Sequence, residues 1–210
     1  TARIGGRVQV GDANVLSMSD VELAEIRGSK VAMIFQEPMV AFDPVYKIGQ
    51  QIIETIIRHE SLSMAEAHRR SLELFDLVQI PSPEQRLKAY PHELSGGLRQ
   101  RVVIAMALAC SPRLLIADEP TTALDVTVQK HILDLLDGLR EERGMAMILI
   151  THDLGVVRGR ADDIMVMYAG RTMEQADTDT LFSKMRHPYT EALLETIPRI
   201  DMPSHSRLVP

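Results

Sequence analysis

Three short apolar runs, each ending abruptly in polar residues and separated by stretches of helical periodicity, constrain the fold of this chain most. Residues 30–35 (KVAMIF) read as a strand buried on both faces, 113–117 (RLLIA) as a second buried strand, and 145–150 (MAMILI) as a third. A further strand is expected at 164–168 (IMVMY). Strands joined by helices form parallel sheets, and in such sheets ligands collect at the carboxyl ends of the strands. The polar residues that follow the first three runs are Gln36, Asp118 with Glu119, and Thr151-His152-Asp153. All three groups are therefore expected to converge on one edge of a single sheet.

Between the first and second runs the period changes. Ile48, Ile52, Ile53, Ile56 and Ile57 fall at helical spacing, and Ser63 with Glu66 spells a capping box for a second helix carrying Leu72, Leu74, Phe75, Leu77 and Val78. Pro81, Pro83 and Pro91 punctuate the next stretch, and a helix is expected from Ser95 through Leu108. Residues 45–110 thus form an all-helical block, and 126–140 a later helix. Near the start, 7–10 alternate like a short strand and end at the turn signal Gly11-Asp12.

The 210 residues suffice for one substantial core, or for a core with a smaller inserted subdomain. A net charge of −6 argues against a general nucleic-acid binder, which carries a basic face. The single cysteine, Cys110, lies in an apolar run, forms no internal disulfide, and reads as a small buried hydrophobe. Twelve methionines without a tryptophan read as core composition. The first residues do not resemble a signal peptide, and no apolar stretch reaches the roughly 18 residues a spanning helix needs. Membrane contact is expected to run through a partner.

Two motifs carry chemistry. In 114–119 (LLIADE) an apolar strand closes on adjacent carboxylates, which are costly beside a core unless a cation or hydrogen bonds compensate. Asp118 is placed to bind Mg²⁺, and Glu119 to orient and activate a water attacking a γ-phosphate. A solvated pair of turn acids is the plainer alternative. In 94–100 (LSGGLRQ) Ser95 can cap a helix, while Gly96 and Gly97 allow a phosphate to approach backbone N–H groups at the helix start. A plain helix start after a glycine turn is the alternative here.

The order LSGG, then LLIADEP, then Thr122–Asp125 (TALD), then Ile150–Asp153 (ITHD) resembles the ATPase subunits of ABC transporters, and the likeness covers essentially the whole chain. LSGGLRQR resembles the family's signature loop, LLIADEP its Walker B strand, TALD its D-loop, ITHD its switch histidine, and Phe35-Gln36-Glu37-Pro38 its Q-loop. The resemblance implies an α/β fold of the P-loop NTPase (RecA-like) kind. It divides the chain into an ABC ATPase core (1–44 and 111–175), a helical subdomain (45–110) ending in the signature helix, and a C-terminal extension of the peptide-importer type (176–210). It implies ATP and Mg²⁺ as cofactors, with Glu119 and His152 catalytic and with Asp118 and Gln36 at the metal. Gln36, Ser95, Gly96, Gly97, Gln100 and Asp125 are implied to bind nucleotide, the signature loop acting on the site of the opposite subunit.

Residues 26–54, 94–129 and HPYTEALL at 187–194 are similar to the oligopeptide/dipeptide importer branch, whose relatives also import nickel or glutathione. Leu98 stands where the branch usually has Met. The implied partners are a second ABC ATPase subunit, two transmembrane permease subunits and, indirectly, a solute-binding protein, at the cytoplasmic face of the cell membrane and without nucleic acid. A soluble ABC ATPase of translation or DNA repair fits less well: the HPYTEALL tail and the Gln36 loop speak against it, as does the lack of a second ATPase cassette or a long coiled-coil insertion in this sequence.

No P-loop, GxxxxGK[ST], occurs in the sequence. Gly28-Ser29-Lys30 lacks its pattern and leads into a strand, so it reads as a turn with a solvated lysine. The expectation is a fragment lacking the N-terminal part with the P-loop and the adenine-stacking aromatic. Its tail, 207–210, is expected to stop before a cysteine-containing segment associated with an iron–sulfur cluster in some members. Alone, such a chain is expected to bind ATP weakly, to expose apolar surface and to associate. It could also be a catalytically inactive binding module that supplies its signature loop to an intact partner or docks on membrane subunits.

Overall fold

The computed structural model describes residues 5–122 and 124–195, in two units divided after Ile150. Ala123 and the tail 207–210 lie outside the described residues. The first unit opens with a small hairpin, β1 (Gln9–Val10) against β2 (Ala13–Asn14), turning at Gly11 as the sequence signals. Helix α1 (Asp20–Ile26) starts at a capping box in which Ser19 and Glu22 satisfy each other's backbone N–H groups. Strand β3 (Val31–Ile34) leads into the Gln36 loop and then the helical block. That block comprises α2 (Ile48–Glu60), α3 (Met64–Leu77), the short α4 (Pro83–Leu87) and α5 (Gly96–Ala107). Strand β4 (Leu114–Asp118), helix α6 (Val126–Arg143) and strand β5 (Ala146–Ile150) complete the unit. The boundaries differ from the sequence reading by one to three residues at most ends, where helix and strand ends fray.

The sheet order is β3-β4-β5, all parallel, as the alternation of strands and helices requires. Ile34 pairs with Ala117, and Asp118 with Ile150, so the three carboxyl ends are level. One face of the sheet, with Ala32, Ile34, Leu115 and Ala117, belongs to a single cluster with Ile48, Ile52 and Ile56 of α2. Leu74 and Phe75 of α3, residues 102–105 of α5 and Ile132 and Leu136 of α6 join the same cluster. Each such fully buried aliphatic side chain contributes about 1.5–3 kcal/mol relative to exposure. Close packing also fixes a glycine: a Cβ on Gly49 would lie 2.7 Å from the carbonyl oxygen of Leu87, so only glycine lets α2 approach α4.

The expectation that 30–35 is buried on both faces fails. Burial alternates along β3 and β5, because the helices of this unit that follow β3 all pack into the one cluster and leave the other face open. Met33, Phe35, Ile148 and Ile150 are 37%, 43%, 50% and 45% exposed. A continuous apolar run signals a strand, yet cannot say whether both of its faces find cover.

The second unit holds α7 (Leu154–Val157), a hairpin of β6 (Asp163–Tyr168) and β7 (Arg171–Asp177), α8 (Thr178–Lys184) and α9 (Pro188–Glu195). Val157, Ile164, Val166 and Leu181 form its own small core. Glu174 on β7 accepts hydrogen bonds from the N–H groups of Arg186 (2.7 Å) and His187 (3.2 Å), and His187 Nδ1 accepts from Tyr189 N–H at 3.1 Å. The HPYTEALL segment is thus tied to the hairpin at the start of α9.

Candidate active site

Strand β4 delivers Asp118 and Glu119 to the carboxyl end of the sheet, both half-buried. The Glu119 N–H donates to the carbonyl of Ile150 at 2.9 Å, and the chain then turns, with the Thr122 N–H donating to the Glu119 carbonyl at 3.1 Å. Glu119 takes a left-handed backbone conformation, φ 44°, which costs a residue with a Cβ energy. Its carboxylate is held by two neutral donors: Gln36 Nε2 reaches Oε2 at 2.9 Å and Thr122 Oγ1 reaches the same oxygen at 2.8 Å. Two of the three groups predicted to converge, on β3 and on β4, are therefore joined by a direct hydrogen bond. Thr151, His152 and Asp153 follow β5 and open the second unit, where Asp153 Oδ1 caps α7 by accepting from Gly155 N–H at 2.8 Å.

The Thr122 hydroxyl, which donates to Glu119, is a site residue that the motifs did not single out. The signal was present, since a threonine three residues after the acid can reach back across a tight turn. Oxygen chemistry suits Mg²⁺ here. That ion takes one or two carboxylates with phosphate and water oxygens, and Asp118 is the residue that would supply a carboxylate. Donation by Gln36 through Nε2 leaves its Oε1 available as a further oxygen. Among the described residues no group of three or more His, Cys, Asp or Glu gathers to hold a metal alone.

Ser95 caps α5, its Oγ accepting from the Leu98 N–H at 3.4 Å, so the helix start with its free N–H groups is exposed at Gly96. Leu98 is partly buried against the core. A Cβ on Gly97 would lie 3.1 Å from Val128 Cγ1, and one on Gly96 3.6 Å from Leu124 Cδ2, so the glycine pair packs on the start of α6. Asp125 caps α6 by accepting from the Val128 N–H at 2.9 Å. The LSGG and TALD segments are thereby neighbours. Gln100 lies one turn into α5, is 2% exposed, and its Nε2 is buried without a partner. It faces the interior, whereas Ser95, Gly96 and Asp125 are exposed. Lys30 is exposed ahead of β3 in the Gly28-Ser29 turn, as expected. A separate cavity of about 830 Å³ lies between α1, the residues after Gln36, and α2, lined by Arg27, Asp43, Tyr46, Glu54, Arg58 and His59.

A parallel sheet ending in paired carboxylates, with a glycine-primed helix start in the same unit, has the architecture of an ATP-binding cassette. Residues 2–122 match the family model described as ABC transporter, and the chain belongs to that family. Residues 173–210 match a second model, the C-terminal region of oligopeptide/dipeptide transporters. More particularly, the chain is 51% identical over 98% of its length to a probable peptide ABC transporter ATP-binding protein of Sinorhizobium fredii, of which it covers 61%. It is 49% identical over 95% of its length to the oligopeptide transport ATP-binding protein OppD of Salmonella typhimurium, of which it covers 59%. The chain spans about three fifths of the length of these relatives. Among solved structures, a dimeric post-hydrolysis state of the ATP-binding cassette MJ0796 with ADP and phosphate aligns at TM-score 0.74 and 30% identity. That alignment covers 83% of this chain and 74% of the other. CbiO1 of Clostridium perfringens, part of the cbiONQ transporter complex, aligns at TM-score 0.73 and 27% identity, covering 86% and 69%. No described helix is long and apolar enough to cross a membrane.

Proposed function

We propose that the chain is the ATP-binding and ATP-hydrolysing subunit of an importer for oligopeptides or dipeptides. It pairs with a second cassette and docks on two permease subunits at the cytoplasmic face of the membrane, while a solute-binding protein delivers the cargo. The observation that carries the reading is the Glu119 carboxylate held by Gln36 and Thr122 at the carboxyl end of β4. Held in this way, the Glu119 carboxylate is the group that takes a proton from a water aimed at the γ-phosphate. His152, at the switch-histidine position of the sequence, is the second catalytic candidate, and Asp118 with Gln36 Oε1 would hold Mg²⁺, whose charge would offset that of the phosphates. Ser95, Gly96 and Gly97 offer the start of α5 to the nucleotide of the opposite cassette, with Asp125 beside them. In this reading the permease docks at the cavity beyond the Gln36 loop. The domain division at 45–110 and 176–210 belongs to the same proposal.

The exposed start of α5 at Ser95 and Gly96 also suits a second reading, a module that only lends its signature loop to an intact partner. Binding of a fluorescent ATP analogue with Mg²⁺, to the chain alone and with a P-loop-bearing segment added, separates the two. Tight binding only after the addition, with hydrolysis cut about 10²–10⁴-fold by Glu119→Gln, supports the enzyme. Hydrolysis indifferent to Glu119→Gln leaves the module. Micromolar binding by the chain alone overturns the placement of the phosphate site.

A further inference from the structure

At the opposite end of the sheet, two arginines from different helices converge on one hydroxyl. Arg70 Nη2 on α3 and Arg143 Nη1 at the end of α6 each donate to Ser111 Oγ at 3.4 Å, and Ser111 is exposed in the loop before β4. Its backbone is left-handed, φ 50°. Arg143 has no carboxylate within 4.0 Å among the described residues, and its Nε is buried without a hydrogen-bond partner. Arg70 meets Glu73 at 3.5 Å through Nη1, which leaves Nη2 to the hydroxyl. The neighbouring Cys110 thiol is pushed up to about 11 by burial first and by Glu60 second, so it brings no negative charge.

A single hydroxyl oxygen has two lone pairs, whereas two guanidinium forks carry ten N–H donors. Both contacts sit at the long end of the hydrogen-bond range, which leaves the forks spread around a small acceptor. A helix C-terminus explains why a cation suits position 143, but not why a second cation from α3 points at the same oxygen. What fits between two forks is a tetrahedral oxyanion, with several oxygens and a negative charge. We propose that Arg70, Ser111 and Arg143 form a binding site for a phosphate-class oxyanion, remote from Asp118 and Glu119. On a chain of net charge −6, retention of an anion at this spot is local rather than a general property of the surface.

The test is isothermal titration of the whole chain with sodium phosphate, ionic strength held constant with chloride. Saturable binding at one site is expected, competed by sulfate and not by chloride. Arg143→Gln and Arg70→Gln each weaken it at least about tenfold, because each removes charge-assisted bonds. Arg143→Lys keeps the charge, loses the fork and lies between, and it replaces the glutamine variant if that one fails to fold. Glu119→Gln leaves the titration unchanged, which separates this site from the nucleotide site. A parallel sedimentation with phosphatidylcholine vesicles carrying phosphatidic acid distinguishes a lipid phosphomonoester from the free ion, since Arg143-dependent binding to vesicles alone assigns the headgroup. The absence of saturable binding to either ligand, or binding that Arg143→Gln leaves intact, overturns the proposal.

Discussion

Glu119 combines a strained backbone with a well-held side chain. Its φ of 44° is disfavoured for any residue bearing a Cβ, yet its carboxylate accepts from both Gln36 and Thr122. Strain at this residue is a stability cost, and it can be measured. Glu119→Gly and Glu119→Ala both delete the carboxylate with its bonds to Gln36 and Thr122, but only glycine relieves the backbone. Urea unfolding should therefore find the glycine variant more stable than the alanine variant by about 1–2 kcal/mol. Equal midpoints would mean that the residue is not strained in solution. The two carboxylates themselves were legible in the sequence, because an apolar strand ending in DE has few structural explanations. The Thr122 hydroxyl and the interior placement of Gln100 were not, since both depend on how a turn and a helix face are rotated, which spacing alone does not set.

Helix starts were the most legible elements, and their caps can be separated from their chemistry. Ser63 and Glu66 close the capping box their spacing announces, with the Ser63 N–H donating to Glu66 at 2.9 Å. The Ser63 hydroxyl first, and that N–H second, hold the Glu66 carboxyl below its ordinary value of 4.5. With the folded value the lower one, the stabilisation is fully present above the unfolded value and is lost as pH falls through the folded value. Urea midpoints of the chain and of Glu66→Gln should differ by a constant amount above pH 4.5 and converge below it. A gap that widens in acid would rule out the carboxylate cap. Asp125 invites the complementary experiment. Asparagine caps a helix as well as aspartate does, so Asp125→Asn should leave the unfolding midpoint within about 0.5 kcal/mol. Any loss of ATPase activity in that variant then reports the charge rather than the start of α6. Strand burial was read less well. The apolar runs identified β3, β4 and β5, but which faces are covered depends on the side to which the connecting helices turn, and periodicity within a strand does not encode that.

For the molecule as a whole, the open face of the β3-β4-β5 sheet is the feature with the largest consequence. Met33, Phe35, Ile148 and Ile150 lie on it with between a third and a half of their surface exposed, and Ile116 in the central strand is only half-buried. Met33, Ile116 and Ile148 are in register across the three strands, so the exposed side chains form a continuous patch. Along the outer side of β5 the backbone groups pair with no neighbouring strand among the described residues, which adds an edge to the patch. An apolar face of this kind beside a free edge favours self-association, because burying it against a second copy removes the same surface from water twice. The chain on its own should therefore bind an apolar dye and show a molar mass that rises with concentration in light scattering. Ile148→Thr with Ile150→Thr should suppress both, since threonine retains strand propensity while removing apolar surface. These side chains are too exposed for the change to cost much stability, so a folded double variant is expected by circular dichroism. A monodisperse, dye-free parent chain would mean that the face is covered in solution, and the open sheet would then cease to account for how this chain associates.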